Sequence, residues 1–373
     1  MTAHTVLERY RRIHRPGQDC RVTSGRNILE LYGYKHSYAT VQGLSSNFFF
    51  SYRTAFSPLE QLTFAGGDVC AHYWPVSGQR IEVLENLAYL YNAELVTGVD
   101  QSPAAAQAAL FAFLDQGIPV LVAVSRQALG RLLGQPLRFP PCLGNLQFGG
   151  HFVTVVGYDR QRATVQLFDT DHGHLLELPL AVLAEARIEG DHTAECIMQS
   201  RNRWAVFLPG SSVPPLAHRI RAALERTVHL WLGAGADDGG AAGLHGMRRL
   251  CAELPGWSER RDLPADKLKA TAYVLHMSSE KIAGGGLGRR CFGMFLRQAG
   301  DALGSPMLHE AAGDYAVLAQ LWRQLMTAVD TCVFDPAGPR SLDQPAIRAL
   351  LAELLEREEQ GFDRLQAGLR EAA

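Results

Sequence analysis

The chain has 373 residues, in which 36 Lys and Arg residues nearly balance 38 Asp and Glu residues, for a formal net charge of −2. This balance argues against nucleic acid or an anionic membrane as a partner, because both attract strongly basic surfaces. Hydrophobic residues make up 47% and charged residues 20%, which is typical of a globular protein long enough for two domains. Residues 1–13 are charged throughout, and no segment approaches the roughly 20 apolar residues of a membrane helix, so we expect a cytoplasmic protein.

Seven cysteines are spread over the chain, and no two of them form a Cys-x-x-Cys pair. An odd number at irregular spacing in a chain of this length indicates neither a disulfide framework nor a zinc site. The polar segment 169–174, Asp-Thr-Asp-His-Gly-His, offers metal-ligand residue types but matches no zinc spacing, and a hairpin loop explains it. We therefore expect no metal, and thiols that are mostly structural.

The first half of the chain alternates helical and strand-like segments. Gly33 and Gly117 end two of the helices that the apolar spacing predicts. Ser102 and Pro103 supply an N-cap and a favoured first residue for an alanine-rich helix. The predicted helices are 21–32, 37–44, 82–91 and 103–116, and the strand-like segments are 47–52, 94–97 and 119–124.

The clearest β signal is a run of β-branched residues, 151–158, that follows Gly149 and Gly150. Polar residues end this run, and a second strand at 164–169 comes next, so the pair predicts an antiparallel hairpin. A further strand near 204–208 closes this half of the chain.

The proline-containing segment 209–215 is the best linker candidate, and the chain changes to helix beyond it. The sequence therefore predicts an α+β domain over residues 1–210, followed by an all-α domain over residues 216–373. Apolar residues recur at helical spacing over 216–232, 243–254, 267–278, 290–302, 306–329 and 344–369.

Cys20 stands at the start of the first predicted helix, directly after Gln18 and Asp19. The positive end of the helix dipole and the unpaired N–H groups there favour a thiolate, which is the nucleophilic form of cysteine. Gly17 permits close approach of the backbone, and Gln18 is the candidate side-chain donor for an oxyanion hole. Cys20 is therefore the candidate nucleophile.

His151 opens the hairpin after the two glycines, and Asp169 ends its second strand. An antiparallel hairpin brings the two ends together, so the carboxylate of Asp169 can orient the imidazole and stabilise its charged form. Asp171 takes this role instead if the register shifts by two residues. The sequence thus predicts a Cys20–His151–Asp169 triad.

Short motifs along most of the chain resemble the butirosin-biosynthesis protein H family, in which a papain-like acyltransferase domain precedes a helical companion domain. The matching residues are Asp19-Cys20, Ser24 to Leu29, Tyr32-Gly33, Gly149 to Asp159, Phe168-Asp169, Gly243 to Gly246, Gly284 to Gly286 and Arg289-Arg290. The resemblance implies transfer of an acyl group from an acyl carrier protein to a small-molecule amine acceptor in natural-product biosynthesis. The phosphopantetheine thioester belongs to the substrate, so no further cofactor is implied.

One position departs from the family pattern, in which a histidine often precedes the nucleophile. Here that position is Asp19, and a neighbouring carboxylate opposes thiolate formation unless it is turned away or paired.

A glycine-rich loop precedes the predicted helix at 290–302. Backbone N–H groups of Gly285 and Gly286, with Arg289 and Arg290, are candidates to bind the phosphate of phosphopantetheine. A plain turn between helices is the alternative, since no Gly-Lys-Ser/Thr motif follows.

Two other functions remain open. With water or a peptide as acceptor, the same triad serves a thioesterase or a cysteine peptidase-like hydrolase, because acceptor choice depends on the shape of the pocket. A non-catalytic protein that binds a carrier protein is the alternative of another class. The sequence also leaves the oligomeric state open, including a homodimer.

Overall fold

A computed structural model describes residues 3–52, 61–64, 67–70, 76–77, 83–99, 102–134, 147–148, 150–188, 196–197, 200–233, 241–282 and 284–372. The chain divides into two compact units. Unit 1 comprises Met1–Tyr38, Leu59–His72 and Leu87–Ser212, and unit 2 comprises Ala39–Pro58, Tyr73–Asn86 and Val213–Ala373.

Helices and strands alternate in the first half, and helices dominate the second. The α-helices are α1 (Ala3–Ile13), α2 (Cys20–Leu31), α3 (Tyr38–Leu44), α4 (Val83–Leu90), α5 (Pro103–Leu114), α6 (Arg126–Leu132), α7 (Leu180–Ala186), α8 (Leu216–Trp231), α9 (Gly243–Glu253), α10 (Ala265–Met277), α11 (Arg289–Leu303), α12 (Pro306–Val333) and α13 (Pro345–Glu371). The strands are β1 (Ser51–Tyr52), β2 (Gln61–Phe64), β3 (Gly67–Cys70), β4 (Val76–Ser77), β5 (Glu94–Val99), β6 (Val120–Val124), β7 (Gln147–Phe148), β8 (His151–Asp159), β9 (Thr164–Phe168), β10 (Leu176–Pro179), β11 (Cys196–Ile197), β12 (Arg203–Leu208) and β13 (Ala241–Ala242).

An antiparallel six-stranded sheet forms the centre of unit 1, in the order β10-β9-β8-β6-β12-β5. The predicted hairpin is present as β8 and β9, with Thr154 opposite Phe168 and an irregularity between Val155 and Gly157. β8 and β9 lie inside the sheet, so the ends of this hairpin are held by strands on both sides.

The two faces of the sheet are covered by different helices. On one face, Val153 and Val155 of β8 pack in a hydrophobic core with residues of α5, α6 and α7. On the other face, Thr154 accepts a hydrogen bond from the Tyr10 hydroxyl of α1 at 3.2 Å and donates one to Ser24 of α2 at 3.4 Å. The helix that begins at Cys20 is therefore anchored on the strand that begins at His151.

Helix α1 was not predicted, because its many charges conceal its buried face. Leu7 and Tyr10 are buried while Arg11 and Arg12 are exposed, which is the spacing of an amphipathic helix. The strand predicted at 47–52 is present only as Ser51–Tyr52.

Two segments, 39–58 and 73–86, fell within the predicted 1–210 domain but belong to unit 2. Aromatic packing explains the first of them. The ring of Phe48 stacks on Trp231 and Phe292 at centroid distances of 4.9 and 3.9 Å, and β1 pairs with β13 at Tyr52 and Ala241. The free energy gained by burying these rings among the helices of unit 2 explains why this segment packs there, although it lies early in the sequence.

The helices predicted beyond residue 216 are all present, with ends that differ from the prediction by no more than about one turn. None of the helices in the described ranges is both long and apolar enough to cross a membrane.

A buried charge pair lies at the centre of unit 2. Arg289, the first residue of α11, and Glu358 of α13 are both fully buried, with Nη2 and Oε2 3.0 Å apart. The guanidinium also faces four aromatic rings, those of Phe48, Phe50, Trp231 and Trp322, at 5.1–5.5 Å from their centroids. Each charge is tolerated there only because the other is present.

We expect the Arg289→Met substitution to lower the stability of the protein by about 3–5 kcal/mol, because it leaves the Glu358 carboxylate buried without its partner. Urea unfolding followed by tryptophan fluorescence measures this, since Trp231 and Trp322 adjoin the guanidinium. Arg290→Met is the matched control, because Arg290 is exposed and its replacement should leave the unfolding midpoint unchanged. Equal midpoints for the two variants would contradict the role of the buried pair.

Candidate active site

Asp19 shapes the start of the helix that carries Cys20. Its carboxylate is the N-cap of α2 and accepts hydrogen bonds from the backbone N–H groups of Arg21 at 2.7 Å and Val22 at 3.2 Å. The Arg21 guanidinium lies 3.1 Å from the same carboxylate. Asp19 is therefore paired with Arg21 and caps the helix. These contacts offset its negative charge, which would otherwise oppose a thiolate at Cys20.

The residues before Cys20 are tied to the loop that carries Asp169. The N–H of Gly17 donates to the carbonyl of Thr170 at 3.1 Å. A Cβ at Gly17 would lie 2.1 Å from the hydroxyl of Thr23, so only glycine fits this close approach. The backbone thus holds the start of α2 against the end of the β8–β9 hairpin.

His151 is the first residue of β8 and pairs with Val124 of β6. It has the same place in the strand alternation as the core residues Val153 and Val155, and it is buried. Gly150, with φ of +67°, donates its N–H to the buried hydroxyl of Ser200 at 3.1 Å and so fixes the entry into the strand.

Asp169 directly follows β9, and its Oδ1 lies 2.7 Å from Nε2 of His151. Both side chains are about 95% buried, with exposures of 5% for His151 and 6% for Asp169. The same Oδ1 also accepts from the N–H of Asp171 at 3.4 Å. Asp169, rather than Asp171, is therefore the carboxylate that faces the imidazole.

The thiol of Cys20 completes this chain of contacts, because it lies near enough to His151 to contribute to the raised pKa of the imidazole. Because Nε2 of the imidazole faces Asp169, Nδ1 is the nitrogen left for the sulfur. Cys20 is half-buried, whereas His151 and Asp169 are enclosed. The structure thus brings the three residues of the predicted triad together, with the sulfur as the accessible member.

The charges in this cluster shift two pKa values in opposite directions. Burial lowers the pKa of His151, but the charge and hydrogen bond of Asp169, together with those of Cys20, outweigh it and raise the pKa from 6.5 to about 10. Burial raises the pKa of Asp169, but the His151 imidazolium outweighs it and holds that pKa well below 3.8. His151 is therefore an imidazolium at neutral pH.

Asp171 belongs to a second charge pair beside the first. Ligand atoms of His151, Asp169 and Asp171 lie within 4.8 Å of one another, an arrangement that could hold a metal ion. However, Arg126 at the start of α6 forms an ion pair with Asp171, and His151 pairs with Asp169. Protein cations balance both carboxylates, so a metal would have to displace them.

Gln18, the predicted side-chain donor of an oxyanion hole, is exposed and makes no hydrogen bond to any described residue. The backbone offers a better donor. Asp19 caps the N–H groups of Arg21 and Val22, whereas the N–H of Cys20 has no acceptor within the described ranges. This orphan donor lies beside the sulfur, where an oxyanion would form.

The residues predicted to bind a phosphate lie in unit 2, and the burial of Arg289 contradicts its part in that prediction. Arg289 is buried against Glu358 and cannot meet a substrate. The N–H groups of Arg289 and Arg290 donate to the carbonyls of Gly286 and Gly285, so the start of α11 is capped by its own loop. Gly286 allows the loop to approach α12, where a Cβ would lie 2.5 Å from Cα of Ala319. Only the side chain of Arg290 is exposed.

Two residues beside the triad, Arg126 and His14, were not among the site residues predicted from the sequence. Ser125, an N-cap after the buried strand β6, is the signal that could have found Arg126. His14 carried no such signal, because its contacts are with residues far away along the chain.

The pH dependence of stability should reveal the His151–Asp169 pair. A raised imidazole pKa contributes stability that is complete below about 6.5 and is lost as the pH rises through about 10. A lowered carboxyl pKa contributes stability that is complete above about 3.8 and is lost in stronger acid. We expect Asp169→Asn, measured by urea unfolding, to be least stable relative to the native chain between about pH 4 and pH 6.5, and to approach it near pH 10. A deficit independent of pH would contradict the charged pair.

Comparison with protein families divides the chain between residues 175 and 182, before β12 of unit 1. Residues 7–175 match the Peptidase_C39 like family, and residues 182–365 match a domain of unknown function, DUF4872. No curated protein matches the chain. The first match spans Cys20, His151 and Asp169, and it indicates a papain-like fold of the cysteine-protease type. The N-terminal part of the chain is therefore similar to the Peptidase_C39 like family.

Proposed function

We propose that the protein is a cysteine-dependent acyltransferase. It takes an acyl group from the phosphopantetheine thioester of an acyl carrier protein and transfers it to a primary amine in natural-product biosynthesis. The observation that carries this proposal is the contact chain of Cys20, His151 and Asp169 in a Peptidase_C39-like domain. The motifs shared with the butirosin-biosynthesis protein H family support the choice of donor and acceptor.

The first half-reaction forms an acyl-enzyme. Cys20 attacks the carbonyl carbon of the thioester as a thiolate, and the His151 imidazolium beside it already carries the proton. The unpaired N–H of Cys20 stabilises the negative charge on the oxygen. When the carbon–sulfur bond to pantetheine breaks, the imidazolium returns its proton to the departing thiolate. One thioester replaces another, so the enzyme needs to lower only the barrier.

The second half-reaction releases the product. The amine attacks the acyl-enzyme, His151 accepts the proton that the amine loses, and Cys20 leaves as a thiolate. An amide is far more stable than a thioester, so this step proceeds forward. Asp169 stabilises the imidazolium in both halves, in keeping with the raised pKa of His151.

A hydrolase is the second candidate, and the match of residues 7–175 to a peptidase family favours it. In a thioesterase, water replaces the amine as the acceptor. In a peptidase, a peptide also replaces the thioester as the acyl donor. The same residues act on the acyl-enzyme in both. The triad is common to both candidates, so the acceptor decides between them.

We expect incubation with acyl-pantetheine thioesters to add the mass of the acyl group to the native chain, and Cys20→Ala to abolish this adduct. Intact-mass spectrometry measures it, and peptide mapping assigns it to Cys20. Cys251→Ala is the matched control, because burial, with the charges of Glu358 and Glu359, raises the pKa of that thiol to about 12. An adduct that survives in Cys20→Ala would overturn the proposal.

The acyl-enzyme then distinguishes the acceptors. Added primary amines should remove the acyl group as an amide faster than water does, by a factor that rises with amine concentration. Loss of the adduct at the same rate with and without amines would favour the thioesterase. Absence of any adduct from thioesters, together with cleavage of peptides, would favour the peptidase.

A further inference from the structure

His14 lies in the segment between α1 and α2, and the triad chemistry does not use it. Its side chain is buried, and its ring packs on Phe168 at a centroid distance of 4.5 Å. Phe168 is the residue before Asp169, so this contact places His14 beside the segment that carries the carboxylate of the triad.

Both ring nitrogens of His14 make hydrogen bonds, and the two partners belong to different parts of the site. Nδ1 lies 3.0 Å from the side-chain amide nitrogen of Asn27, on the Cys20 helix. Nε2 lies 2.7 Å from the carbonyl oxygen of His172, in the turn that begins at Asp169. This single side chain therefore spans from α2 to the turn 169–172.

The orientation of Asn27 fixes the tautomer of His14. The guanidinium of Arg26 donates to Oδ1 of Asn27 from Nε at 3.3 Å and from Nη2 at 3.2 Å. The amide nitrogen of Asn27 must therefore face His14, and Nδ1 of the imidazole must accept. The proton consequently resides on Nε2, which donates to the carbonyl of His172, and the imidazole is neutral.

Hydrogen bonds within the turn link His172 to Asp169. The N–H of His172 donates to the carbonyl of Asp169 at 3.3 Å, and the N–H of Asp171 donates to Oδ1 of Asp169. Holding the carbonyl of His172 therefore limits how far Asp169 can turn away from His151.

We propose that neutral His14 is a positioning residue that couples the Cys20 helix to the Asp169 turn and so keeps the triad aligned. This inference rests on the proposed use of the triad, although its geometry stands apart from the choice of substrate.

Protonation should release the coupling. An imidazolium donates at both nitrogens, so its Nδ1–H would confront the amide N–H₂ of Asn27. The groups that face His14 are the hydroxyl-bearing ring of Tyr10, the guanidinium of Arg26 and the carboxylate of Asp169. Burial, opposed by the hydrogen bond to His172 and assisted by the charge of Arg26, lowers the pKa of His14 below 6.5. The coupling should therefore fail only below pH 6.5.

The first test reads the tautomer directly. Long-range ¹H–¹⁵N spectra of the full chain, assigned with a His14→Gln variant, should show His14 with its proton on Nε2 at neutral pH. In Asn27→Asp the carboxylate replaces the amide donor, so His14 should keep its second proton to a higher pH than in the native chain. A proton on Nδ1, or an unchanged titration in Asn27→Asp, would overturn the proposed geometry. Neither result depends on any activity.

The second test reads the alignment of the triad without a substrate. Alkylation of Cys20 by iodoacetamide, followed by peptide mass spectrometry, should slow about tenfold to a hundredfold in His14→Leu, the usual range for loss of a supporting hydrogen bond. His14→Gln keeps one donor and one acceptor and should recover most of the rate. His172→Gln is the matched control, because His14 is bonded to the backbone carbonyl of His172 and not to its side chain.

The pH profile separates a positioning role from a merely structural one. Below pH 6.5 the native rate of alkylation should fall more steeply than that of His14→Gln, because only the native chain loses the coupling when His14 gains its second proton. The His151–Asp169 pair is not the source of such a loss, because its two pKa shifts keep it charged there. Native and His14→Gln profiles that coincide would overturn the proposal. If thioesters instead leave no adduct on Cys20 while these results hold, the acyltransferase function fails and the role of His14 stands.

Discussion

The buried ion pair between His151 and Asp169 is the interaction on which the candidate site depends. Removing either charge from water is costly, and the cost is met only when the partner lies within hydrogen-bonding distance, as it does at 2.7 Å. The pair therefore exists only if the β8–β9 hairpin is in register and its end is closed by the turn after Asp169. The sheet around the hairpin and the contacts of that turn provide these conditions. The chemistry of Cys20 depends on them in turn.

Buried charges in this protein are stabilised at two separate places, by helix capping and by ion pairing. In unit 1, the carboxylate of Asp19 accepts hydrogen bonds from two backbone N–H groups and forms an ion pair with Arg21. In unit 2, Arg289 and Glu358 are enclosed together, and burial raises the pKa of Glu358 against the opposing charge of Arg289. The first arrangement leaves the N–H of Cys20 without an acceptor among the described residues, whereas the second encloses Arg289, which was predicted to meet a phosphate. The same residue types thus serve a site in one case and a core in the other.

Much of the fold follows from local patterns. The helices after residue 216 follow from apolar spacing, and the Ser102–Pro103 start of α5 follows from capping, which the structure reproduces with Ser102 accepting from Ala105. The three residues of the triad could be chosen because a hairpin has few registers, and only Asp169 and Asp171 compete for the imidazole. Patterns of this kind concern residues that are a few positions apart in the sequence and therefore also close in space.

What could not be predicted depends on residues far apart in the chain. Arg289 looks like a surface cation until Glu358, about 70 residues later, is known to face it. Phe48 looks like part of a strand until Trp231 is known to stack on it. His14 and the carbonyl of His172 are 158 residues apart, and no spacing rule connects them. Tertiary packing overrides local propensity at each of these positions.

The hydrogen bond from Gly17 to Thr170 has a consequence for the order in which the protein matures. The thiol of Cys20 is synthesised about 130 residues before His151 and about 150 before Asp169. While the nascent chain lengthens, the sulfur has neither its base nor the backbone clamp that joins the two ends of the site. The contacts that join Cys20, His151 and Asp169 therefore form only when the hairpin docks on α2, after both parts of the site have been synthesised.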